Sequence, residues 1–71
     1  MKKIAINIYY NGENFTSNYE EFSTKSRIEL EDFLTNACEG KIRYIQITSG
    51  NRQIFFPQDI IQKSIISILE E

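Results

Sequence analysis

Ile4, Ile6, Ile8 and Tyr10 alternate with Lys3, Ala5, Asn7 and Tyr9, the period-two pattern of a strand with one buried face. Asn11-Gly12 follows, and such a pair supplies the positive φ angles that a type I′ turn requires. A two-residue turn there sets the register of a hairpin. Ile8 comes opposite Phe15, Ile6 opposite Ser17 and Ile4 opposite Tyr19, all on one side. The same register sets Lys3 against Glu20 and Lys2 against Glu21, with opposite charges facing each other at the open end.

The spacing then changes. Leu30, Phe33, Leu34, Ala37 and Cys38 fall at the i, i+3, i+4, i+7, i+8 positions of one helical face. Ser26 with Glu29 three residues later reads as a capping box, and Glu29, Glu31 and Asp32 suit the positive end of the helix dipole. Gly40 suits the C-terminal cap. This pattern predicts a helix over about residues 27–39.

A second hairpin is expected from 41 onward, where β-branched and aromatic residues return and Gly50-Asn51 offers a tight primed turn. With those two as the loop, Ile47 faces Ile54 and Ile45 faces Phe56 on one side. Tyr44, Gln46 and Thr48 share the other side with Gln53 and Phe55. Pro57 ends the strand, because it cannot donate to a ladder. In the tail, Asp59 with Gln62 suggests a single turn of helix. Ser64-Ile65-Ile66-Ser67-Ile68 is dense in β-branched and small residues, which favours a last strand over about 64–69 rather than a longer helix.

The expected fold class is α+β, with order ββαββ and a final β. One helix packs on one face of a small mixed or antiparallel sheet, in a single domain spanning residues 1–71. This element order resembles a β-grasp arrangement.

At 71 residues such a domain buries only about 60% of the surface its unfolded chain exposes. Neither a disulfide nor a histidine-ligated metal is on offer to help, since the chain has one cysteine and no histidine. A net charge of −2 with interspersed signs argues against bulk attraction to nucleic acid or to an anionic membrane. The start at Met1-Lys2-Lys3 lacks the apolar run of a secretory leader, and no stretch is long enough to cross a bilayer, so a cytoplasmic location is expected. Ile, Asn, Lys, Tyr and Phe make up nearly half the chain and valine is absent, a bias that points to a low-GC genome such as a Gram-positive bacterium or one of its phages.

No residue pattern calls for catalysis, a metal or a cofactor. Cys38 sits on the apolar helix face with no histidine to activate it, and is expected to be buried as a small hydrophobe. Glu29, Glu31 and Asp32 lack the alternating loop positions of a calcium site. Each glycine has a turn or cap to occupy. What remains is aromatic. Phe15, Tyr19, Phe33 and Phe56 are assigned to the core, and Tyr9, Tyr44 and Phe55 to the side away from the helix. Tyr44 and Phe55 are near cross-strand neighbours, with Arg43, Arg52 and Gln53 as a rim and Ile42 extending the patch. The site expected is therefore Tyr9, Ile42, Tyr44, Phe55, Arg52 and Gln53, used by a non-catalytic protein-binding module through the helix-free sheet face or a sheet edge. A phage or mobile-element inhibitor of a host defence protein is one such role. Single-stranded nucleic acid stacked on the same aromatics is the alternative, and homodimerisation through the same face is a third.

Overall fold

A computed structural model describes residues 2–71. Two hairpins and a closing strand wrap one side of a single long helix. The elements in order are β1 (Lys3–Tyr10), β2 (Glu13–Thr16), β3 (Glu20–Glu21), α1 (Thr24–Cys38), β4 (Tyr44–Ser49), β5 (Arg52–Pro57), α2 (Gln58–Ile61) and β6 (Ile65–Glu70). Every strand pairing is antiparallel, so the α+β plan holds in its antiparallel form. The strands divide into a four-stranded sheet, with β1 at its centre, and the separate β4–β5 hairpin.

The first turn is as the sequence dictates. Asn11 has φ 53° and Gly12 φ 83°, both positive as type I′ demands. Ile8 lies opposite Phe15 and Asn7 opposite Thr16. Further along the hairpin the register slips. Ile4 lies opposite Glu20 and Lys3 opposite Glu21, whereas an uninterrupted ladder would bring Tyr19 and Glu20 there. One extra residue has been inserted between Thr16 and Glu20, which is a β-bulge.

The bulge has a partner. Asn18 turns its backbone N–H out of the β1 ladder and donates it to the Thr48 carbonyl at 2.8 Å. Its side-chain Oδ1 accepts from the Gly50 N–H at 2.8 Å, and its Nδ2 donates to the Gly50 carbonyl at 3.4 Å. Ser17 repairs the ladder that Asn18 leaves. Its N–H donates to the Ile6 carbonyl at 2.9 Å, and its hydroxyl oxygen accepts from the Ile6 N–H at 2.8 Å. The slip moves Tyr19 from its expected core position to the surface, where it is 40% exposed. It also changes the ion pairs at the open end, where Lys2 pairs with Glu70 at 3.9 Å rather than with Glu21.

The helix starts three residues earlier than the capping-box reading. Ser23 is the N-cap, its hydroxyl accepting from the Ser26 N–H at 3.2 Å. Glu29, Glu31 and Asp32 consequently fall outside the first turn, and Glu31 instead pairs with Arg27 one turn back at 3.1 Å. At the other end Lys41 N–H donates to Asn36 C=O at 3.0 Å and Gly40 N–H to Ala37 C=O at 3.2 Å, the two bonds of a Schellman cap.

The core lies between α1 and the inner faces of the strands. It joins Ile8, Leu34, Ala37, Ile45, Ile47, Phe56 and Ile61. Phe15 and Phe56 meet edge to face at 5.4 Å and so carry the packing from the first hairpin into the second. The expected inner residues of the second hairpin, and Ile4, Ile6, Ile8 and Phe15 of the first, are buried or pack against the core, but Tyr19 does not, and Ala5 on the opposite side of β1 is buried as well. The helix contributes a narrower stripe. Leu34 and Ala37 are buried and Leu30 is partly so, while Phe33 is 40% exposed and Cys38 is exposed. The expected burial of Phe33 and Cys38 fails because a sheet this small covers less than the full apolar arc of the helix.

In the tail, α2 is a single turn, too short to persist alone, and side-chain amides hold it. Gln58 donates to the Ile42 carbonyl. Gln62 donates to Gln58 Oε1 at 2.6 Å and to the Cys38 carbonyl at 2.9 Å, which links α2 to the end of α1. The chain then enters β6, which pairs with β1 from Ile4–Glu70 to Tyr9–Ile65.

Asn18→Ala keeps the backbone bond to Thr48 and loses both side-chain bonds to Gly50. It should cost about 1–2 kcal/mol, read as a fall in the urea midpoint at unchanged slope. Ser23→Ala should cost about 1 kcal/mol through the lost cap. Ser26→Ala should cost clearly less, and the reverse order of the two would contradict the observed helix start.

Candidate interaction face

The outer side of the β4–β5 hairpin is built by alternation. Ile45, Ile47, Ile54 and Phe56 turn toward α1, so Tyr44, Gln46 and Thr48 must turn away, together with Gln53, Phe55 and Pro57. The register sets Tyr44 opposite Pro57, Gln46 opposite Phe55 and Thr48 opposite Gln53. All of these outward residues are exposed. The turn that fixes this register has Gly50 at φ 62° with Asn51 on the ordinary negative side, the signature of a type II′ turn.

Tyr44 and Phe55 lie on the diagonal of the ladder, with ring centroids 5.9 Å apart and planes tilted by 50°. They are 52% and 54% exposed. Around them the face carries amides, a hydroxyl and a proline, and no charged side chain. Large rings at low entropic cost, surrounded by adaptable hydrogen-bonding groups, are what recognition surfaces use.

The other expected site residues separate. Gln53 is on this face, opposite Thr48. Arg52 shares strand parity with Ile54 and Phe56, so it lies on the helix side of the hairpin tip and does not rim the rings. Ile42 packs against the core cluster instead of extending the patch. Tyr9 belongs to the other sheet. Its ring makes neither of the two close aromatic pairs among the described residues, and its cross-strand neighbour is Ile65, 67% exposed. The expected patch is thus two separate surfaces. Parity alone would have excluded Arg52, and the division into two sheets removed Tyr9.

The outer face of the four-stranded sheet is more polar. Asn7 is its hub, donating to Asn14 Oδ1 at 3.1 Å and accepting from the Thr16 hydroxyl at 2.7 Å. No protein-family model matches the chain, and neither do curated proteins or solved structures.

Two concavities lie elsewhere on the surface of the described residues. One, of about 200 Å³, lies beside the bulge, between Ile4, Ile6, Ser17, Asn18, Ile47 and Thr48. The other, of about 400 Å³, lies at the start of α1 and includes Lys2, Phe22, Ser23, Arg27 and Glu70. Its charges are occupied with one another, since Glu70 pairs with both Lys2 and Arg27. Among the described residues no cluster of three or more Cys, Asp or Glu side chains could hold a metal ion, and no helix is long and apolar enough to cross a membrane.

Cys38 is exposed, contrary to its expected burial. A thiol reagent should therefore modify one equivalent in the native protein, without the lag that a buried thiol shows while waiting for unfolding. Reaction only after addition of denaturant would contradict the position of the helix end.

Proposed function

We propose that this protein is a non-catalytic protein-binding module whose contact surface is the outer face of the β4–β5 hairpin. The observation that carries this reading is the Tyr44–Phe55 pair, with ring centroids 5.9 Å apart, more than half exposed on a face that no helix covers. Keeping two large rings in water has no folding benefit comparable to burying them, whereas aromatic anchors supply much of the energy in protein interfaces. The absence of charge on the same face argues against nucleic acid, because stacking surfaces for single strands are combined with basic groups that follow the phosphates. A module of this kind acts by occupying a partner's surface, as an inhibitor of a host enzyme carried by a phage or mobile element would.

The test is recovery of a protein from the lysate of a low-GC Gram-positive bacterium, using the wild type and the Tyr44→Ala/Phe55→Ala form side by side. The double variant should keep the wild-type fold, since both side chains lie outside the core, and should lose the partner at least tenfold. Equal recovery by the two forms would sink the proposed face. Mixed-sequence oligonucleotides at low salt should bind neither form, and binding that depends on Tyr44 and Phe55 would turn the assignment to nucleic acid.

A further inference from the structure

The two edges of the four-stranded sheet differ in character. On one edge β2 is only four residues long and ends in the bulge, both of which discourage pairing with another chain. On the other, β6 runs Ile65-Ile66-Ser67-Ile68-Leu69-Glu70, with no proline, lysine or bulge. The β4–β5 hairpin is protected as well: Asn18 bonds to the β4 edge at Thr48, and Pro57 ends β5.

The backbone groups that β6 presents at its edge follow from one hydrogen bond. Glu71 N–H donates to Lys3 C=O at 3.0 Å, and antiparallel ladders alternate. Residues 65, 67 and 69 therefore turn their backbone groups toward β1, while Ile66 and Ile68 turn theirs away from it. Among the described residues these outward N–H and C=O groups have no partner in the chain.

We propose that β6 pairs antiparallel with β6 of a second copy of this chain, about a two-fold axis through Ser67. The strand is apolar on both sides of that serine, Ile65-Ile66 before it and Ile68-Leu69 after it, which is what self-pairing about a two-fold axis requires. Ile66 then lies opposite Ile68 of the second copy, and the outward groups of both strands make four backbone hydrogen bonds, as the alternation above dictates. Ile65, the most exposed large hydrophobic side chain among the described residues at 67%, comes to lie opposite Leu69. Ser67 faces its own copy at a non-hydrogen-bonded position, where side chains approach most closely and a small residue fits. Charge chooses the direction. Lys63 precedes the strand and Glu70 and Glu71 end it, so antiparallel pairing sets Lys63 against Glu71, whereas parallel pairing would set acid against acid.

One strand pair is a small interface beside the roughly 1,600 Å² of a standard one. A dissociation constant in the micromolar range, on the order of 10–100 μM, is expected. This surface is distinct from the Tyr44–Phe55 face, and the Tyr44→Ala/Phe55→Ala form should associate like the wild type.

Sedimentation equilibrium over a dilution series should show a reversible monomer–dimer transition. Ile65→Lys, at an exposed position outside the core, should weaken it at least tenfold with the circular dichroism spectrum unchanged. In a Cys38→Ser background, Ser67→Cys should form a cross-linked dimer under mild oxidation, because a cross-strand pair at that spacing suits a disulfide. A strict monomer at millimolar concentration would overturn the proposal. So would a dimer that is insensitive to Ile65→Lys and that Ser67→Cys fails to cross-link.

Discussion

Asn18 holds the turn of the second hairpin through its backbone N–H and both ends of its side-chain amide. To do so it leaves the ladder of the first hairpin, and this single departure shapes much of the molecule. It interrupts the strand after Thr16, shifts Glu20 and Glu21 by one position against β1, and turns Tyr19 toward solvent. The vacated ladder position is filled by the Ser17 hydroxyl, so the Ile6 N–H is not left unsatisfied. The gain is a set of three hydrogen bonds that ties the β4–β5 hairpin to the four-stranded sheet.

Beneath those bonds the Phe15–Phe56 pair makes the matching apolar link. Together they set how the β4–β5 hairpin sits against β1 and α1. The helix can then bury only a narrow stripe, centred on Leu34 and Ala37. A domain this small has little core to spare. Each of the seven clustered core residues therefore matters, and the short α2 contributes Ile61 and, through Gln62, a bond to the Cys38 carbonyl at the end of α1.

One helix cannot cover both sides of two sheets. The outer face of β4–β5 is left with an aromatic pair among uncharged groups, and the outer face of the larger sheet with an asparagine-centred polar network. The free edge of β6 is left with apolar side chains and unpaired backbone groups. The proposed partner face and the proposed self-pairing edge lie on different sheets, so occupancy of one does not require vacating the other.

Alternation and turn chemistry were legible in the chain. The Asn11-Gly12 and Gly50-Asn51 turns, the Ile8–Phe15, Ile45–Phe56 and Ile47–Ile54 registers and the outward Tyr44–Phe55 pair all follow from contacts between residues close in sequence, and the final strand from the β-branched run that composes it. Such contacts obey local geometry, which residue order specifies. The bulge at Asn18, the surface positions of Tyr19, Phe33 and Cys38, the packing of Ile42 and the separation of Tyr9 from the other aromatics were not legible. Each depends on a contact between segments distant in sequence, above all Asn18 with Gly50. Ser26-x-x-Glu29 has the form of a capping box, yet Ser23 caps the helix, its hydroxyl accepting from the Ser26 N–H. The two-residue turns and strand periodicity determined each hairpin by itself. How the hairpins meet, and hence which aromatics are buried and which edge stays open, was decided only when the long-range hydrogen bonds and the core had formed.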